Sequence, residues 1–323
     1  MTVTDLDPRT VLEAGLRTHF GRPVRIADIA ARPLPMRSTH PIERLAVILD
    51  SGERLPVIFK RLEWGPENKH PWREPLVYRR LLAGGRFGAP VLYGSVYDHE
   101  RHRYWLFLED VGRQSLDGGR PEDWLAGVRC LAAMHGAYWG RTAELRAAKC
   151  LHEHDDRYFV TQALAARRAF KRIGDSAALA RFDRWMDRFP ALAAALARQP
   201  RTLVHGDIFA HNLMLQPGPV VRPIDWESAA VGTAAWDLTR LLDGWGTDQP
   251  EFLAAYIAEC VRHSETPIDE NGFRRAVRLC EVLLVLLHIR LCEDARPPAG
   301  VVAGWMTGLD AAWQALEEGD LND

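Results

Sequence analysis

Hydrophobic and polar residues follow two different rhythms along this chain, and the change between them divides it. Behind Asp7-Pro8 the apolar positions Val11, Leu12, Leu16 and Phe20 recur at helical spacing and predict a helix over 8–20. From about 23 to 62 the rhythm is that of strands. The apolar run 45–49 ends in Asp50-Ser51-Gly52-Glu53, a hairpin turn, and 55–62 resumes as its partner. Residues 72–82 are again helical, and Gly84-Gly85 stops them. A further strand pair, 91–97 and 104–108, is predicted around the polar turn Asp98-His99-Glu100-Arg101. Beyond Glu109-Asp110-Val111-Gly112 the pattern is almost wholly helical, over 121–139, 156–172, 176–198, 250–263, 270–293 and 302–317. One β interruption, a hairpin over 203–226, breaks the series. The predicted class is α+β, with a small β-rich part over residues 1–111 and a larger helical part over 112–323.

Composition narrows this picture without redirecting it. At 323 residues two domains are the default, and 47% apolar with 26% charged residues is ordinary for a globular protein. A net charge of −2 gives no electrostatic reason to expect nucleic acid or an anionic membrane as partner. The opening Met-Thr-Val-Thr-Asp-Leu-Asp does not read as a secretory signal, and the apolar run 282–287 is far short of the roughly 20 residues that span a bilayer. Five cysteines, at 130, 150, 260, 280 and 292, lack paired zinc-type spacing and read as free thiols of a cytoplasmic protein. Lysine occurs only at 60, 69, 149 and 171, so arginine supplies 37 of the 41 cations. A lysine in a chemically demanding place is therefore informative.

Candidate chemistry concentrates in the β interruption. Residues 203–215 read Leu-Val-His-Gly-Asp-Ile-Phe-Ala-His-Asn-Leu-Met-Leu, and after Gln-Pro-Gly-Pro come Val-Val-Arg-Pro-Ile-Asp-Trp-Glu. Asp207 and Asn212 are five residues apart, and Asp225 follows thirteen later. Hard oxygen ligands in that order suit Mg²⁺ on a nucleoside triphosphate, beside an acid placed to receive a hydroxyl proton. A turn Asp also caps its own backbone and a polar pair also closes hairpins, but the joint spacing favours chemistry. Glu227 shares a face with Asp225 if the strand continues, as a supporting acid, a metal contact or a substrate group, while Trp226 turns to the core. His205 is read as bracing the loop; His211 has no assigned role.

Lys60 ends an apolar strand, where a flexible ammonium reaches phosphates as a point charge or simply snorkels to solvent. Glu74, fourteen residues on, opens a helix; it is favoured there by the dipole and is placed to pair with Lys60. Asp237 is read as a structural acceptor of backbone N–H groups from the loop. Cys150, His152, His154, Asp155 and Asp156 include metal-ligand types but no distant matching half, and read as a polar loop facing substrate. Trp124, Trp139, Trp185, Trp236 and Trp245 fall mostly at apolar helical positions.

Together these residues resemble the aminoglycoside phosphotransferase and choline kinase superfamily, small-molecule kinases with a protein-kinase-like fold. The likeness rests on His205-Gly206-Asp207-x4-Asn212 as catalytic loop and Ile224-Asp225-Trp226-Glu227 in place of the protein-kinase metal-binding triplet. Lys60 in its strand, Glu74 on the next helix and Leu106-Phe107-Leu108-Glu109-Asp110 as linker also match. Leu131-Ala132-Ala133-Met134-His135 resembles the family's long helix, and the likeness spans about residues 35–245.

The resemblance implies a bilobal fold using ATP or GTP with Mg²⁺. By it Asp207 is the catalytic acid–base or positioning residue, Asn212 and Asp225 are the Mg²⁺ ligands, and Lys60 contacts phosphate. The base meets linker backbone around Glu109–Val111. The loop Pro35-Met36-Arg37-Ser38-Thr39-His40-Pro41 lacks the glycines of protein kinases, so Ser38, Thr39 or the loop backbone is expected to cover the phosphates. Phe209-Ala210-His211 also departs from the commoner wording.

The implied acceptor is a hydroxyl of an antibiotic, natural product or sugar-like metabolite, near Glu227, Asp243 and the 152–156 loop with Asp155. A polycationic aminoglycoside requires an acidic pocket, against which Arg222 and Arg240 stand. Alternatives are choline or an amino alcohol, caged by Trp226, Trp236 and Trp245, and a non-catalytic nucleotide-binding regulator. No nucleic-acid or membrane partner is expected, and the chain is expected to be a monomer or homodimer.

Overall fold

The computed structural model describes residues 7–34, 40–63, 70–173, 176–245, 250–292 and 297–318. In chain order the N-terminal elements are α1 (Pro8–Phe20), β1 (Ile26–Pro33), β2 (Ile42–Leu49), β3 (Arg54–Leu62), α2 (Arg73–Arg80), β4 (Leu92–Asp98) and β5 (Arg103–Glu109). Next come α3 (Pro121–Ala137), α4 (Thr142–Ala147), β6 (His152–Glu153), α5 (Asp156–Ile173), α6 (Ser176–Ala197) and β7 (Arg201–Val204). Then follow β8 (Leu213–Gln216), β9 (Val220–Pro223), β10 (Ala230–Thr233), α7 (Ala234–Leu241), α8 (Pro250–His263), α9 (Glu270–Leu291) and α10 (Ala299–Glu318). This is the predicted α+β class, a β-sheet N-terminal region followed by a helical C-terminal one. Among the described residues no helix is long and apolar enough to cross a membrane, and all five cysteines are free.

The chain forms two compact units: Met1–Gly127 with Ala148–Leu151 and Ala210–Ser228, and Val128–Ala147 with His152–Phe209 and Ala229–Asp323. In the first, an antiparallel sheet has the order β1-β2-β3-β5-β4. Its core holds Leu12, Leu16, Val47, Val57 and Phe107, with Phe59 stacked on Phe107 at a centroid distance of 4.5 Å. Asp7 caps α1 by accepting from Thr10 N–H, Pro8 fits the first turn, and Gly21 ends the helix at φ 62°. α1 lies so close to β4 that a Cβ on Gly15 would stand 1.9 Å from the Tyr93 carbonyl oxygen, so only glycine permits this approach.

The division expected near Gly112 falls inside the first unit. Downstream residues stay with the sheet because they pack on the β8–β9 hairpin: Leu215 N–H donates to Gln114 O at 2.8 Å, and Ser115 bridges Met214.

The strand pairing corrects the expected 203–226 hairpin. β7 pairs antiparallel with β10, which pairs in parallel with β6, while the hairpin proper is only β8 with β9. β6 has two residues, and β10 is Ala-Val-Gly-Thr, buried at all four positions, so neither carries an alternating pattern to read. Gly232 is required there, since a Cβ would meet His154 Nδ1 at 2.9 Å. Around this small sheet α5 packs on α6 and α9, and α9 packs on α7 and α10.

Candidate active site

In the first unit four charged side chains converge. Lys60 is the third-last residue of β3 and points to the face that buries it, leaving it 4% exposed. Its Nζ lies 2.5 Å from Asp225 Oδ1, 2.8 Å from Glu74 Oε2 and 3.8 Å from Glu227 Oε2. Burial alone would lower the Lys60 pKa, but Asp225, Glu74 and Glu227 outweigh it and hold the ammonium well above its ordinary value. Glu74 sits in the first turn of α2, 1% exposed, and its Oε1 accepts the Trp226 backbone N–H at 3.2 Å. Burial pushes Glu74 up to about 7, with Lys60 opposing the shift and Asp225 and Glu227 adding to it. The Lys60–Glu74 pair is thus formed as the sequence led us to expect.

Asp225 reaches this cluster from a different backbone than predicted. β9 ends at Pro223, and Asp225 adopts φ 65°, the left-handed region uncommon for non-glycine residues. The chain then enters a 3-10 turn over Trp226–Ser228, so Glu227 reaches the cluster from a turn and not from a strand face. Trp226 is fully buried, as expected, with its indole N–H donating to Pro223 O. Asn212, 6% exposed, stands directly before β8, and its carbonyl accepts Ile224 N–H at 2.9 Å. That bond ties the two ends of the hairpin, and so the backbones of Asn212 and Asp225, to one another. One carboxylate oxygen from each of Glu74, Asp225 and Glu227 lies within 4.8 Å of the others. Such hard anionic donors suit Mg²⁺.

His40, to which the sequence assigns no role, joins the cluster through Glu227. Its Nδ1 accepts the Glu63 N–H, which puts the ring proton on Nε2, 3.3 Å from Glu227 Oε2. Ser38 and the rest of 35–39 lie outside the described residues.

A pocket opens beside this cluster within the same unit. Lys60, Glu74 and Asp225 line it together with Ile42, Ile58, Leu108, Met214 and the linker from Glu109 to Arg113. The linker acids are held by arginines: Glu109 pairs with Arg222 and Asp110 with Arg44.

In the second unit the turn His205-Gly206-Asp207 follows β7, with Gly206 at φ 79°. Helix α7 grips it with two opposite charges one turn apart. Asp237, fully buried, accepts His205 N–H at 2.6 Å and Gly206 N–H at 3.0 Å. Its other contact is His135 Nε2 at 3.3 Å, whose Nδ1 lies 2.5 Å from the Tyr256 hydroxyl. Burial would raise the Asp237 pKa, but hydrogen bonding and charge from His135, with His205, bring it below the ordinary value. Arg240, 5% exposed, donates to the Gly206 carbonyl and forms an ion pair with Asp207. Its guanidinium sits over Phe209 at 4.3 Å and Trp236 at 5.4 Å. The sequence suggests Arg240 only as a repulsive cation; the Asp-x-x-Arg spacing on a helix opening, which puts both charges on one face, is the signal of this role.

These two arrangements belong to a recognisable family. Residues 47–260 match the family model described as the phosphotransferase enzyme family. The chain belongs to the phosphotransferase enzyme family. No curated protein sequence matches it. Among solved structures, a Plasmodium vivax ethanolamine kinase aligns at 15% identity over 90% of this chain and 83% of its own, with a TM-score of 0.57. A macrolide 2'-phosphotransferase from Brachybacterium faecium aligns at 14% identity over 92% and 98%, with a TM-score of 0.55. The GDP complex of aminoglycoside 2'-phosphotransferase-IIIa also gives 0.55, at 14% identity over 96% and 99%. These likenesses establish the kinase-like fold.

Two further acceptor candidates, Asp243 and Asp155, have partners. Asp243 lies 2.7 Å from His288 Nε2, and Asp155 accepts Tyr158 N–H at the start of α5. His154 is buried against Tyr158, and burial depresses its pKa to about 3, so it stays neutral. Of the tryptophans named for a cage, Trp226 donates its indole N–H to Pro223 O, Trp236 is 3% exposed beside Arg240, and Trp245 is exposed.

Proposed function

We propose that this protein transfers the terminal phosphoryl group of a purine nucleoside triphosphate to a hydroxyl group of a small molecule. The observation that carries the reading is the Lys60, Glu74, Asp225 and Glu227 cluster at the wall of the first unit's pocket. Three carboxylates around one ammonium leave a surplus of negative charge, which a divalent cation would neutralise. Asp225 and Asn212, with Glu227 beside them, are the residues that would hold Mg²⁺. That ion supplies charge neutralisation on the phosphates. Lys60, kept charged by its neighbours, addresses phosphate oxygens, and Glu74 fixes its position. Asp207 accepts the acceptor's hydroxyl proton as the new O–P bond forms and the bond to the departing diphosphate breaks. Asp237 and Arg240 hold the turn that presents Asp207.

Arg240, the cation that counted against a polycationic aminoglycoside, is paired with Asp207, so acceptors of every charge belong in the test. The test is incubation with Mg²⁺, labelled ATP and a panel of neutral, acidic and cationic hydroxyl compounds. Transfer to at least one member of the panel is expected. Nucleotide binding without transfer to any acceptor would remove the enzymatic reading.

A further inference from the structure

We propose that a small cavity between α5, α7 and α9 in the second unit binds one monatomic anion of chloride size. Arg290 holds it, together with the N–H groups that Arg240 and Trp236 leave over. The site stands apart from the nucleotide pocket and does not depend on the reaction proposed above.

Helical spacing builds this cavity. Trp236 and Arg240 are one turn apart on α7, and Tyr158 and Gln162 are one turn apart on α5. On α9, Leu283, Leu286 and Leu287 form an apolar stripe that Arg290 ends. The five polar side chains line one space, and leucines of α9 wall the rest.

Two donors in this wall lack acceptors. Arg240 commits two of its three guanidinium nitrogens to the turn, Nη1 to the Gly206 carbonyl and Nη2 to Asp207. Its Nε is buried without a hydrogen-bond partner. The Trp236 indole N–H is buried likewise, near the Tyr158 hydroxyl but without the geometry of a bond to it. The two residues are only 5% and 3% exposed, so neither N–H has bulk water to turn to, and a buried N–H seeks an acceptor. Burial pushes the Tyr158 pKa up, and the charges of Arg240 and Arg290 oppose it, so both guanidinium groups stand near one hydroxyl.

The charge left over belongs to Arg290. Asp207 already neutralises Arg240, and Asp237, also on α7, is engaged with His205, Gly206 and His135. No carboxylate lines the cavity, and among the described residues none pairs with Arg290. A water there would bring two hydrogens of its own, for which the wall offers only the Tyr158 oxygen and the Gln162 carbonyl. Arginine and tryptophan side chains donate and never accept. An anion accepts from every one of these groups and also meets the surplus charge. The volume sets the size: about 20 Å³ exceeds the roughly 10–15 Å³ that one water-sized sphere needs. A single halide fits, whereas sulfate, phosphate or an organic acid does not. Bound there, the ion would occupy the third nitrogen of Arg240 while the other two hold the Asp207 turn.

The experiment takes the full-length protein into sodium methanesulfonate, free of halide, and replaces that salt by sodium chloride or sodium bromide at constant ionic strength. The thermal unfolding midpoint is expected to rise and level off with either halide, as for a ligand that binds only the folded state. Crystals soaked in sodium bromide are expected to show anomalous density in the cavity, within hydrogen-bonding reach of Arg240 Nε. Arg290→Met and Gln162→Leu are each expected to move the halide titration to about tenfold higher concentration, the loss of one donor to a charged partner. A response to halide that is flat or never levels off overturns the proposal. So does bromide density found only outside the cavity. Variants that fold and titrate like the native protein overturn the assignment of the site to these residues. The bromide map of the native protein stands whether or not a variant folds.

Discussion

Around Lys60 the first unit gathers three carboxylates against one ammonium, whereas around Asp207 the second unit matches each charge with a partner. The first arrangement is electrically incomplete: Glu74 is pushed up to about 7, the mark of carboxylates crowded in a buried place. The second is complete before any ligand arrives, because Asp237 takes the N–H groups of the turn and Arg240 takes the Gly206 carbonyl and the Asp207 carboxylate. A region with surplus charge is organised to receive a charged ligand. A region with balanced charge is organised to keep one side chain still. The contrast fits a division of labour between holding the phosphate donor and presenting the proton acceptor.

Substitutions at the two regions should therefore fail in different ways. The largest expected effect is that of Asp207→Asn, which should lower turnover by about 10²–10⁴-fold while nucleotide affinity by calorimetry stays near wild type. Asp225→Asn should lower turnover and weaken Mg²⁺–nucleotide binding together. If both variants lost nucleotide affinity equally, the two regions would not have separate roles. Next in size, Arg240→Met should cost about 10²-fold in kcat with the nucleotide KM unchanged, because Asp207 loses its fixed position. Arg240→Lys should recover part of that loss, since it restores the charge without the planar fork. Asp237→Asn should instead appear as about 3–5 kcal/mol lost in urea unfolding, the cost of breaking a buried charged network.

The smallest effect is a pH dependence confined to the first unit. Nucleotide affinity should weaken as pH falls through about 7, where Glu74 takes up a proton and releases Lys60, and Glu74→Gln should flatten that dependence. Stability responds with the opposite sign. The folded value of about 7 lies above the ordinary 4.5, so the folded state holds the proton more tightly. The stabilisation from Glu74 is then full below about 4.5 and is lost as pH rises towards 7. Melting curves of wild type and Glu74→Gln across that window measure the difference.

Much of this was legible in the sequence, and the reasons for the rest are physical. The five-stranded sheet announced itself through apolar runs bounded by turn residues, and the Lys60–Glu74 pair through a rare lysine followed by an acid at a helix start. β6 and β10 were not legible, because two residues, or four small buried ones, have no periodicity. Glu227 was placed in the right company by a wrong backbone: strand alternation was assumed, but a left-handed residue and a 3-10 turn deliver it. Arg240 was opaque for a different reason. It acts on a backbone group remote in sequence, Gly206, and only the fold says which carbonyl a long side chain meets.

The first unit is assembled from three separate stretches of chain, the last of them Ala210–Ser228. During synthesis, Lys60 and Glu74 therefore emerge well before Asp225 and Glu227 exist. At typical rates, adding the hundred or so residues after Gly127 takes on the order of 5–20 s. Through that interval a lysine and a glutamate destined for burial have only each other, and the Trp226 backbone N–H that Glu74 will accept has not been made. The five strands of the sheet are all made by Glu109, so the wait falls on the buried charges and not on the sheet's own pairing.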